Sequence, residues 1–198
     1  MIRLFAEASF ALAGIGRILL FRPDWHERFN LTTAGLYRSF GAILIGLPVY
    51  GLMQAFFDRL TAASQVDLPF WYYLVDLARL WLLFPVVAAV AVSVTGTKKH
   101  FAAWLTVRNW SVLAQTVLVM LVAASAVAGI TDQTFLGIFF LIFYPAFLTA
   151  LHLAIAFAVL KGPWERVAGA GVIVVLADFL SREGVQALAQ ALATSQPS

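Results

Sequence analysis

The chain has 198 residues, of which 62% are hydrophobic and 12% charged, a balance that a water-soluble domain cannot bury while keeping a solvated outside. The formal net charge of +3 comes without a Lys/Arg cluster or a basic face, so the expected partner is the lipid bilayer and not nucleic acid. Cysteine is absent, which excludes disulfides, thiolate metal sites and cysteine nucleophiles together.

In chain order, residues 1–22 form an apolar stretch broken by Glu7 and Arg17, too short to cross a hydrocarbon core that needs about 20 apolar residues. As a helix it places Leu4, Ala8, Leu12, Ile15 and Leu19 on one face and Arg3, Glu7 and Arg17 on the other, the pattern of an amphipathic helix lying in the interface. A cleaved signal peptide is the competing reading; Glu7 and the lack of a small-x-small cleavage site speak against it. Pro23 stops this helix, and Thr32 or Thr33 is placed to cap the next.

Four apolar spans follow at Ala34 to Phe57, Phe70 to Val94, Trp110 to Gly129 and Thr134 to Leu160, with a weaker fifth at Val167 to Leu180. Residues 185–198 read as an amphipathic continuation ending in a polar tail. The expected fold is therefore an all-α integral membrane protein, a single domain made of an antiparallel bundle of about five transmembrane helices behind an N-terminal interfacial helix. Small residues such as Gly41, Gly46, Ala89, Ala150, Ala154 and the Ala168-Gly169-Ala170-Gly171 run are expected at close helix contacts.

Basic residues resist translocation, so their distribution sets orientation. Arg3, Arg17, Arg22, Arg28, Lys98, Lys99, Arg108, Lys161 and Arg166 fall on one side of this topology, against Arg59 and Arg182 on the other. The expectation is a bacterial inner-membrane protein with a cytoplasmic N-terminus and a periplasmic C-terminus. Trp25, Trp104, Trp110 and Trp164 then flank the cytoplasmic boundary and Phe70, Trp71, Tyr72 and Tyr73 the other, while Trp81 lies deep.

Inside the spans, Asp76 and Arg79 stand three residues apart on one helical face. A lone charge at that depth costs about 2.5 to 3.5 kcal/mol on the insertion scale, so a mutual ion pair facing the interior is expected. Asp178 either approaches them in depth or faces water beside Arg182; the three are the candidate intramembrane polar site, either a transport site or a lock between helices. Arg38 enters the first span close to the basic side; it either snorkels to lipid headgroups, the preferred reading, or turns towards His152. Pro48, Pro85 and Pro145 interrupt three spans and are expected to kink them.

The three histidines have no ligand spacing, so neither metal nor cofactor is expected. No HExxH, GxSxG or glycine-rich phosphate loop is present, and no enzyme is expected. The residues leave a non-enzymatic adaptor or assembly factor, working through the N-terminal segment and the loop around Trp104, as the first reading. A small transporter or channel-like protein around Asp76 and Arg79, acting alone, with a membrane-protein partner or as a homo-oligomer, is the second.

The stretch from Phe29 to Phe40, with Pro48-Val49-Tyr50, Trp81-Leu82-Leu83-Phe84-Pro85 and Arg108-Asn109-Trp110, resembles a family of short alphaproteobacterial inner-membrane proteins. That resemblance implies a membrane location and no particular activity. A looser topological similarity, to the Yip1-type five-span fold, implies a membrane-organising adaptor.

Overall fold

The computed structural model describes residues 2–61 and 70–194, and every regular element among them is helical. Six helices carry the fold: α1 (Ile2–Leu19), α2 (Thr33–Leu60), α3 (Phe70–Thr95), α4 (Lys98–Val127), α5 (Gln133–Val159) and α6 (Trp164–Thr194). The four from α2 to α5 are long and apolar enough to cross a membrane. In α6 no such stretch exists, because Asp178, Arg182 and Glu183 interrupt its apolar residues. The helix nevertheless runs through the expected tail to Thr194, with only residues 195–198 of that segment outside the described chain.

Local chemistry explains the element boundaries. Leu19 ends α1, Phe21 turns the chain in a left-handed conformation (φ 52°), and Pro23–Arg28 form a 3-10 helix pinned back by an Arg17–Asp24 ion pair. Thr32 caps α2 by accepting a bond from the Gly35 amide at 3.2 Å. Asn30 tightens this entry by accepting from both the amide and the hydroxyl of Thr32. Gly35 is required here: a Cβ would lie 1.9 Å from the Asn30 carbonyl oxygen.

Two of the three prolines act as expected on their helices, but by widening and not by simple kinking. Residues Arg79–Leu83 and Phe139–Phe143 are π-helical, and each stretch ends two residues before Pro85 or Pro145. Proline has no N–H and its ring crowds the carbonyl four residues earlier; a π turn absorbs both problems without breaking the helix. Around Pro48 the helix is α throughout, and the irregularity falls earlier, at Phe40.

The helices do not pack simply in chain order. α2 lies mainly on α4, α3 mainly on α6, and α5 on α6, while α1 covers the N-terminal half of α4 and the C-terminal half of α5. Of the small residues expected at contacts, Gly41 meets Leu4 of α1, and Gly171 meets Leu153 and Ala156 of α5. Gly169 faces open space. The buried face of α1 is Ala8, Ala11, Ile15 and Ile18, one residue round from the expected stripe, so Leu12 is 37% exposed.

The largest departure is the start of α4. Trp110 was the expected first residue of this span, yet the helix begins about three turns earlier, and Trp104 and Trp110 are both 1% exposed. These tryptophans fill the core and do not form an interfacial belt. Arg108, expected in a basic loop, is 3% exposed inside the helix. The reason is that the polar residues of this stretch find internal partners: Thr106 donates to Ala102 O at 2.9 Å and Asn109 Nδ2 donates to Ser39 Oγ at 2.9 Å.

The α2 entrance gives a test of this local reading. Thr32→Ala is expected to lower stability by about 1 kcal/mol through loss of the cap, and Gly35→Ala by more, about 1 to 3 kcal/mol, because backbone must move. Thermal unfolding of the detergent-solubilised variants measures both.

Candidate functional site

The ionisable residues of α3 and α6 meet on the inner side of the bundle. Arg79 begins the first π turn, so its side chain leaves the helix where the backbone is widest. Its Nε and Nη2 reach Asp76 Oδ1, both at 2.9 Å, and its Nη1 donates to Asp178 Oδ1 at 2.8 Å. Tyr50 of α2 donates to the other Asp76 oxygen at 3.1 Å. One guanidinium thus ties two carboxylates and two helices, with a third helix attached through a phenol.

This cluster is the wall of a cavity of about 270 Å³, lined among others by Gln54, Tyr72, Gln115, Tyr144 and Arg182. All five helices from α2 to α6 contribute to the lining. The three expected residues Asp76, Arg79 and Asp178 are therefore brought together, and they are at once fully paired and facing open space. Tyr50 and Gln115 complete the polar surface; the sequence alone assigns them no more than helix-to-helix hydrogen bonding, or nothing.

Behind the Arg79–Asp178 pair lies a second, much smaller void of about 10 Å³, lined by Arg108 and His152 as well as by that pair. Arg108 has no carboxylate in contact: its Nε and Nη1 are buried without a hydrogen-bond partner, as is Nε2 of His152. The ring of Phe84 holds both, with the Arg108 guanidinium 5.1 Å above it and the His152 ring stacked at 6.4 Å. Sequence reasoning missed Arg108 because it counted the residue as a topological charge. The available signal was the apolar run on either side of Arg108-Asn109, with Trp104, Leu105 and Val107 before it and Trp110, Val112 and Leu113 after it.

Arg38 is separate from this site. It is half-exposed and faces Glu7 of α1 at 3.4 Å, and it does not turn towards His152. Among the described residues no three His, Asp or Glu side chains converge as metal ligands. The stretches around Ser39, Trp81 and Trp110 do converge: Ser39 bonds Asn109, and Trp81 and Trp110 share one buried cluster with Ala42.

The cluster's energetics are testable by charge removal. Arg79→Met leaves two carboxylates facing each other in a poorly solvated wall, and the loss is expected to be about 3 to 5 kcal/mol. Neutralising both in the same chain (Asp76→Asn, Asp178→Asn) is expected to recover most of that loss, as read from unfolding in detergent. No recovery would mean that the carboxylates are already solvated.

No family model, no curated protein and no solved structure matches this chain.

Proposed function

We propose that the chain is a small multi-pass transporter or channel-like protein of the bacterial inner membrane, whose polar interior site binds a small solute. The observation that carries this reading is the Asp76–Arg79–Asp178 cluster lying on an open cavity and not in a closed helix contact. A lock between helices needs the ion pairs but not the space beside them. Because all five helices from α2 to α6 line the cavity, occupancy of the site is coupled to how the helices sit against one another.

In this reading α6 is the fifth span. Its Asp178 is held inward by Arg79, and its apolar side, including Leu176 and Phe179, faces lipid. With Arg108 moved to the interior, the basic residues Lys98, Lys99, Lys161 and Arg166 still flank one side, which supports a cytoplasmic N-terminus and a periplasmic C-terminus. α1 lies along the interface, with Phe5 and Phe10 turned outward, and half-exposed Arg38 meets headgroup phosphate.

The adaptor reading keeps one support, the outward aromatic face of α1. It loses the other part of its contact surface, since Trp104 is packed against Phe84 in the core.

Transport is tested by reconstitution. Proteoliposomes are expected to show solute flux that falls at least tenfold in Asp76→Asn; flux indifferent to that change would remove this site from the pathway. A reporter active only in the cytoplasm, fused after Ser198, is expected to stay silent. Activity there would return the C-terminus to the cytoplasm and end the five-span topology.

A further inference from the structure

The interior charges are unevenly paired, and the unevenness has a direction. Asp76 and Asp178 are both spent on Arg79, while Arg108 is fully enclosed with two idle N–H groups and Arg182 stands at the cavity edge with no ion pair among the described residues. Arg182 is exposed and followed by Glu183, so the uneven pairing lies deeper: both interior carboxylates sit on Arg79 and neither on Arg108. Gln115 adds a buried Nε2 that donates to nothing, one face of α4 below Arg108 and on the main cavity. The unsatisfied amide and guanidinium groups of the interior are all donors, and a buried donor without an acceptor is destabilising, more so when charged.

We infer that the cavity takes a small monocarboxylate, and that the ligand binds by exchanging ion-pair partners with Asp178. This rests on the reading of the cavity as a solute site. The incoming carboxylate takes the place of Asp178 on Arg79, where a planar guanidinium matches a planar carboxylate. Asp178 swings to Arg108, with which it shares the small void. Until then the Phe84 ring holds Arg108 in place. After the exchange every buried guanidinium has a carboxylate. Gln115 donates to the ligand's second oxygen, and the apolar remainder of the ligand lies against Met53, Phe57 and Phe140.

Arg108 is thus a positioning residue: it receives Asp178 and does not touch the ligand. This makes a specific thermodynamic signature. In detergent at constant ionic strength, propionate is expected to raise the melting temperature of the protein and the isosteric propionamide is not. Arg108→Gln is expected to weaken propionate binding at least tenfold, since Asp178 then has nowhere to go. Asp178→Asn is expected to tighten it about tenfold by removing the competing carboxylate, and in that background Arg108→Gln is expected to have little further effect. A wild-type protein indifferent to propionate, or one that responds equally to chloride and nitrate, overturns the assignment of a carboxylate. An Arg108→Gln effect of equal size in both backgrounds overturns the exchange. If Arg108→Gln does not fold, Asp178→Asn decides alone, and failure to tighten rejects the exchange. Because binding is read without flux, propionate binding with no transport would overturn the transport reading only, and transport of another solute without propionate binding would overturn this one only.

Discussion

A guanidinium placed among apolar helices must be neutralised where it stands, and most of the architecture answers to that requirement at Arg79. Asp76, three residues back on the same helix, meets it locally. Asp178 meets it from α6, and so recruits a helix whose own hydropathy is poor. The residues that make α6 a weak candidate for a span are in part the ones that fasten it to the bundle. Loss of the Arg79 charge therefore exposes two acidic groups to each other and removes the polar link between α3 and α6, along which these helices otherwise meet through apolar packing.

The prolines decide why the site has room. α3 and α5 carry the same local sequence logic, an aromatic residue followed by proline (Phe84-Pro85 and Tyr144-Pro145), and each answers with a five-residue π turn on the N-terminal side. A π turn is wider than an α turn and pushes its residues out of the regular ridge-and-groove surface. Arg79 and Leu80 from one turn and Phe140 from the other all line the cavity. Helices with regular ridges would close on this space; two bulged helices facing it do not.

Much of this was legible in the residues, and the misses share one cause. The spans, the Thr32 cap and the approach of Asp76, Arg79 and Asp178 follow from periodicity, cap chemistry and the cost of isolated charge. The start of α4 does not, because a loop was read wherever polar residues clustered. Thr106, Arg108 and Asn109 are polar but internal: Thr106 bonds a carbonyl one turn back, Arg108 rests on a phenyl face with two donors unpartnered, and Asn109 bonds Ser39, which lies 70 residues away. Partners at that separation leave no local trace in a sequence. The same holds for Trp104 and Trp110: an indole at a helix end and an indole in a core have one composition, and only the packing of α1 and α2 over α4 tells them apart.

The arrangement asks for more than mechanical locking. Apolar residues of similar volume replace a buried ion pair at little or no loss of stability, so a bundle that needed only cohesion gains nothing from Arg108 and Gln115, whose donors are idle. Nor does cohesion call for a cavity beside the ion pairs, since void space removes packing contacts on every wall it touches. Idle donors, an enclosed guanidinium without a carboxylate and open volume each destabilise the chain as it stands. In the proposed exchange all three are relieved together by one small acceptor that carries a single negative charge, and its arrival would rearrange the pairing between α3, α4 and α6 instead of merely filling a hole.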